Sequence, residues 1–541
     1  MLPRIFSCLV LVLVLTAADT PSPSTSAAPT ANEYITSGND KADKGDYDGA
    51  MADYTKAIAL DPKLAVAYHN RGLAKRHKDD LDGAIADYTK SIELNPKDAH
   101  TFFNRGYAED DKGDLDAAIA DYTQTIVLDA GDADAYTNRG LDKNHKGDHG
   151  GAIADYSKAI ELDSKLTLAY YNRASVEDDL GDFDEAIADY NKAIELSPED
   201  KDAYTNRGIA KRQKGDFDGA IADYSKVIEL EPGDANAYTN RGIAKRYKGD
   251  FDGAIADYDK AIELNPKHAN AYNDRGFAKN SKGDHAGAIA DYSKAIELNP
   301  KFTLAYNNRA SAEDDLGNYD GAVANYTKAL ELDPKDADTY NNRGVAKKHK
   351  GDRDGAITDY SKAIELDPKN ALYYNNRGAE RKAKGDNDGA IADYTKAIEF
   401  DPKSAGTYYY NRGIAKFAKG DRDGAIGDYT KSIELDPTHL NAYLNRGVAK
   451  DAKGDHDGAI ADNDKAIELN PKYAIAYNNR GFAEEAKGEH DRAIADYTKA
   501  IELNPGDSMA YANRAKARGK IGDTAGAAAD QAKANELAQK K

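Results

Sequence analysis

The 541-residue sequence contains one cysteine, three methionines and no tryptophan. Cys8 sits in the apolar N-terminal run, so the rest of the chain can form no disulfide, no cysteine-ligated zinc, haem or iron–sulfur site and no thiol nucleophile. Positive charge is also in short supply: 74 Lys and Arg face 94 Asp and Glu, for a net charge of −20. A chain of this sign with no basic patch repels phosphate backbones. That argues against DNA or RNA as a partner and favours cationic polypeptide segments. Beyond the first residues no apolar run approaches the ~20 residues a membrane-spanning helix needs, so no span is expected in the mature chain.

The N-terminus reads as an address followed by a tether. Arg4, the apolar run Ile5 to Leu15 and the small residues Thr16-Ala17-Ala18 have the order of a secretory signal peptide over residues 1–18. Export follows, to a periplasm or to the outside. Residues 19–30, rich in Pro, Ser, Thr and Ala, read as a flexible linker.

From Ala31 to the end the text repeats every 34 residues, fifteen times, with one extra residue near Ala405. A typical copy is Ala235 to His268, ANAYTNRGIAKRYKGDFDGAIADYDKAIELNPKH. Each copy is expected to hold two helices. The first stops at Lys-Gly-Asp, where Gly supplies a left-handed conformation and the Asp caps the second helix, which runs on to an Asn-Pro or Asp-Pro stop. Positions are counted here from residue 31 of each copy. Position 20 is Ala in all fifteen, position 8 is Gly in twelve, position 24 is Tyr in thirteen and position 32 is Pro in twelve.

This pattern resembles the tetratricopeptide repeat family, over residues 31–541. The resemblance implies an all-α superhelical solenoid of about fifteen helix-turn-helix units. Small residues at 8 and 20 let the helices approach, and aromatics at 4 and 24 fill the space between pairs. The last helix, Thr524 to Lys541, is Ala-rich, lacks the usual Tyr and Pro, and reads as a polar cap on the array.

Two positions depart from the family. Position 7, usually Leu, is Arg in fourteen copies, and position 23 is Asp in fourteen, so each pair is expected to hold an ion pair such as Arg207 with Asp223. Position 11, usually Tyr, is Lys, Arg or Glu. Position 19 is Gly in twelve copies, where it weakens the second helix and Glu would complete a capping box. The sequence offers no reason for it.

Positions 2, 5, 6, 9 and 13 lie on the outer face of the first helix, which in the family lines a concave groove that binds peptides. Position 6 carries Asn70, Asn104, Asn138, Asn172, Asn206, Asn240, Asn308, Asn342, Asn376, Asn411, Asn445, Asn479 and Asn513. A carboxamide both donates and accepts, which suits a peptide backbone irrespective of its side chains. The row is similar to the asparagine ladder in the repeat superhelix of O-linked N-acetylglucosamine transferases, though no catalytic domain follows here. Repeated copying of one unit explains the same regularity without function.

Chemistry is otherwise thin. The eleven His form no His-x-x-x-His or His-Glu-x-x-His set, and Asp-x-Asp-Gly strings such as Asp250 to Gly253 suit helix capping better than a calcium loop. Carboxylate pairs recur in every copy, whereas a catalytic pair needs surroundings of its own. No metal, cofactor or enzymatic activity is expected. The reading is a non-enzymatic scaffold that binds extended polypeptide segments, with a structural or self-assembling envelope component as the alternative.

Overall fold

A computed structural model describes residues 28–539. The proposed signal segment, residues 19–27 of the linker and Lys540-Lys541 lie outside the described residues. Among the described residues, thirty α-helices follow one another, α1 (Ala31–Ala42) to α30 (Thr524–Gln539), as fifteen antiparallel pairs with one pair per 34-residue copy. No described helix is long and apolar enough to cross a membrane.

Turn chemistry sets the helix ends. The Gly after the first helix has φ between 78° and 91° in fourteen copies. In the second copy that residue is Asp79, the one described non-glycine with positive φ, at 63°. The second helix stops at Leu or Phe two residues ahead of the Pro. After α14 (Phe251–Leu264) the capping Asn265 has left the helical region, at φ −134° and ψ 89°, as the following proline favours. The extra residue near Ala405 is absorbed in α23 (Ala405–Lys419), which has 15 residues.

Position 19 now has an explanation. The Asp before the second helix folds over the first turn and accepts from the Gly N–H, as Asp250 does from Gly253 at 2.9 Å. A Cβ on Gly253 would meet that carboxylate at 2.2 Å. Where Ala117 replaces Gly the bond lengthens to 3.2 Å, and where Glu185 does, Asp182 makes no side-chain cap. Glycine lowers the helix propensity but admits the cap, worth ~1 kcal/mol.

The chain divides into two compact units, to Ala271 and from Tyr272. In the first, Tyr170, Tyr171, Ala174, Ala186, Tyr190 and Ala203 form one of a series of small core clusters, each built from neighbouring pairs. In the second, Ile433, Ala442, Tyr443, Leu444, Ala466 and Ala476 do the same. The Tyr at position 24 is the large buried residue of these cores. Its ring lies over the glycine at position 8, where a Cβ on Gly208 would fall 2.8 Å from the Tyr224 ring. The tyrosine at position 4 does not fill the space between pairs alone, because its ring also carries the arginine of position 7.

Candidate functional site: the carboxamide face and its supports

The expected ion pair is present. Arg71 grips Asp87 with two bonds, Nε to Oδ2 at 2.8 Å and Nη2 to Oδ1 at 2.7 Å. The same fork joins Arg105 to Asp121, Arg139 to Asp155, Arg207 to Asp223, Arg343 to Asp359, Arg446 to Asp462 and Arg514 to Asp530. The remaining guanidinium nitrogen reaches the preceding copy, Arg71 Nη1 donating to Thr55 Oγ1 at 3.1 Å and Arg343 Nη1 to Thr327 Oγ1 at 3.1 Å. The guanidinium also lies over the tyrosine of position 4, 5.3 Å from the Tyr204 ring centre for Arg207. One side chain thus ties its own pair together and ties that pair to the one before it. Most copies add a Lys at position 11, such as Lys211 at 2.8 Å from Asp223. In the first copy, which has Ser37 in place of Arg, burial works against ionising Asp53, but bonds from Lys41, Ser37 and Lys56 hold it at about 2.

These joints fix the first helices side by side and so align the carboxamides of position 6. Asn308 Nδ2 donates to Asn273 Oδ1 at 2.9 Å, Asn376 to Asn341 at 2.9 Å, Asn411 to Asn375 at 3.0 Å and Asn513 to Asn478 at 3.1 Å. Asn206 and Asn445 donate instead to the hydroxyls of Tyr171 and Tyr410, at 2.7 and 3.1 Å. Each of these partners stands at position 5 of the preceding copy. Asn70 donates to Asn39 at 2.9 Å, and Asn104 turns back to His100 O of its own helix at 2.9 Å. Asn70, Asn138 and Asn172 are buried, whereas Asn104, Asn206, Asn240, Asn308, Asn376, Asn411, Asn445 and Asn479 are half-buried and Asn342 is exposed. The ladder is therefore real as a row of amides, with much of its donor capacity spent between copies.

Family models described as TPR repeat match residues 38–76, 315–351, 380–420 and 452–488, and models described as tetratricopeptide repeat match 65–98, 103–166, 171–235, 235–268, 269–302, 337–370, 406–439 and 474–507. The chain belongs to the tetratricopeptide repeat family. A search of curated proteins returns no significant match. Solved structures similar to it include MamA, 33% identical over 30% of this chain and 94% of that one, TM-score 0.29. YrrB, described as a TPR protein with an unusual peptide-binding site, is 29% identical over 34% of this chain and 95% of its own, TM-score 0.32. Yeast Tom70 is 20% identical over 87% of this chain and 98% of its own, TM-score 0.34.

Spacing alone does not reveal position 5 as the partner of position 6, because the two lie about 35 residues apart and only the stacking of tetratricopeptide units joins them. Nor did it separate the apolar residues of this face by exposure. At position 9, Leu73, Tyr107 and Leu141 are buried, whereas Phe277, Val448 and Phe482 are 39%, 39% and 47% exposed. Histidines serve as structural groups: buried His69 lies 2.7 Å from Thr101 Oγ1, and burial pushes its pKa down. Among the described residues no group of three or more His, Cys, Asp or Glu could hold a metal.

Proposed function

We propose that the chain is a non-enzymatic scaffold that holds extended polypeptide segments along the carboxamide face of its first helices. The observation that carries this is the half-buried amide row. In Asn308, Asn376, Asn411, Asn445 and Asn513 the Nδ2 group is committed to the preceding unit, which fixes the side chain and leaves Oδ1 to accept from a backbone N–H. Preorganised acceptors at one per unit suit an extended chain and cost little ordering on binding. The net charge of −20 favours cationic segments. The leader-like residues 1–18 support export as part of this reading, to a periplasm or to the outside, and N-terminal sequencing of the protein recovered from its source checks cleavage after Ala18.

The test is affinity capture with the full chain and with a variant carrying Asn342→Ala, Asn376→Ala, Asn411→Ala and Asn445→Ala. Polypeptides retained by the parent and lost by the variant at equal helicity support the scaffold. Retention of the same polypeptides at the same yield by both would remove the ladder from function.

A further inference from the structure

The thirteenth unit breaks the pattern of its core, as the last unit also does with Gln531. Position 24 is Tyr in thirteen copies, but in α26 (His456–Leu469) it is Asn463. Asn463 is 1% exposed. Its Nδ2 donates to Ala459 O at 2.9 Å, and its Oδ1 is buried with no hydrogen-bond partner. The volume a tyrosine ring occupies elsewhere is not filled. A cleft of about 230 Å³ opens there, with Asn463 in its wall beside Asp451, Asn478, Asn479 and Asn513 and the apolar side chains of Val448, Phe482 and Met509. Phe482 and Met509 are 47% and 68% exposed, and the side chain of Asn479 makes no hydrogen bond among the described residues. Asp451 Oδ1 lies 2.7 Å from His456 Nδ1, which leaves Oδ2 with acceptor capacity.

The composition of this cleft selects its ligand. An orphaned buried carbonyl oxygen, a carboxylate and further carboxamides supply acceptors, while no cation is among the lining residues. The other walls are apolar, and one is an aromatic ring. The cleft is smaller than the ~300–1,000 Å³ of sites for drug-sized ligands, so it fits a side chain and not a whole cofactor. A long apolar stem ending in an ammonium satisfies every wall: three donors for the acceptors, methylenes against Val448 and Met509, and a cation near the face of Phe482. We infer that this cleft is a lysine pocket, which takes the side chain of a lysine in an extended polypeptide lying on the carboxamide face. The inference rests on the scaffold reading and names where that scaffold reads sequence.

Met509 makes the test direct, since the chain has only Met1, Met51 and Met509. The full chain, labelled with ¹³C at the methionine methyls, is titrated with a short Gly/Ser/Ala peptide holding one central lysine. The Met509 signal should shift and saturate while Met51 stays still. Replacing the lysine by acetyl-lysine or norleucine should weaken binding about tenfold or more. Asp451→Asn should abolish the preference for lysine over acetyl-lysine. Asn463→Tyr restores the residue found in thirteen other units, so it is compatible with the fold, and by filling the cleft it should end the Met509 response. A Met509 signal unmoved by the lysine peptide, equal binding of norleucine, or an Asn463→Tyr chain that binds as before would each overturn the pocket. Asn463→Tyr leaves the amides of Asn342, Asn376, Asn411 and Asn445 untouched. Polypeptides captured equally by parent and Asn463→Tyr would therefore remove the pocket and leave the scaffold standing.

Discussion

The fifth and ninth units are near copies that solve one electrostatic problem differently. In both, position 11 is Glu where most units have Lys, in the stretches Ser175 to Asp179 and Ser311 to Asp315. In the fifth unit Glu177 faces Asp189, which Arg173 already holds at 2.5 and 2.8 Å. Glu177 Oε2 is buried without a partner, and burial, with the charge of Asp189 next, pushes the Glu177 carboxyl up to about 7. In the ninth unit position 23 is Asn325. Its Oδ1 accepts from Arg309 Nε at 3.1 Å and its Nδ2 donates to Glu313 Oε2 at 2.7 Å. Exchanging one oxygen for an NH₂ group turns a like-charge contact into a hydrogen bond. The joint therefore accepts Glu at position 11 in two ways, by a raised carboxyl pKa beside Asp or by an amide at position 23.

Removing the arginine tests the contrast most strongly. Arg173→Ala leaves Asp189 buried beside a second carboxyl and should destabilise α9 (Thr167–Leu180) and α10 (Phe183–Leu196) by about 3–5 kcal/mol. Arg309→Ala leaves a neutral amide and should cost about 1–3 kcal/mol in α17 (Thr303–Asp315) and α18 (Tyr319–Leu332). Native-state hydrogen exchange reads both, because stability in such an array is local. Equal losses would break the comparison.

Exchanging the residue at position 23 comes next. Asp189→Asn should give Glu177 the bond that Glu313 has, return its titration toward the ordinary carboxyl range in ¹³C NMR, and stabilise the fifth unit by about 1–2 kcal/mol at pH 8. Asn325→Asp should do the reverse in the ninth.

The pH dependence of the unmodified chain is a smaller effect. The folded-state pKa of Glu177, about 7, exceeds the ordinary glutamate value of 4.5, so the folded state binds the proton more tightly. This contribution is fully present below about pH 4.5 and is lost as pH rises through about 7. Glu484, facing Asp496 and likewise raised to about 7 by burial, behaves the same way. Exchange protection of α9 and α10 should thus fall between pH 5 and 8 relative to that of α17 and α18. Parallel profiles would show that the two carboxyls share one environment.

The mildest test is Glu185→Gly. It removes a charge near Glu177 and lets Asp182 cap its helix, as Asn318 caps its own through Gly321 N at 3.3 Å. Cap gain and glycine cost are each ~1 kcal/mol and nearly cancel. The Glu177 titration should move down while the exchange rates of α10 barely change.

The repeat period, the helix pairs and the Arg–Asp forks were legible because each rests on contacts within one unit, at spacings that recur through the text. Gly at position 19 was visible as an oddity but not as a requirement, since the reason is the space taken by the Asp side chain three residues earlier. The partners of the asparagines, and the hydroxyls that receive the third arginine nitrogen, belong to neighbouring units and were not read from spacing. Asn463 was visible as an exception to Tyr, but its unanswered oxygen and the cleft beside it become apparent only in three dimensions.

The arginine that reaches back to the hydroxyl of the preceding copy also governs how such a gene can change. The donor at position 7 and the acceptor at position 25 occur in every interior unit, so any unit satisfies any other. Losing or gaining a whole 34-residue block anywhere in the interior leaves each surviving arginine a side-chain oxygen at position 23 of its own unit, a carboxylate in all but the ninth, and a polar acceptor in the one before. Recombination between copies can therefore lengthen or shorten the molecule without an intermediate that fails to fold. The first unit alone is exempt, since Ser37 stands where the arginine would be and there is no earlier copy to reach. Whole units can thus be gained or lost with these joints intact, whereas the cleft beside Asn463 belongs to one place in the array and would go with its unit.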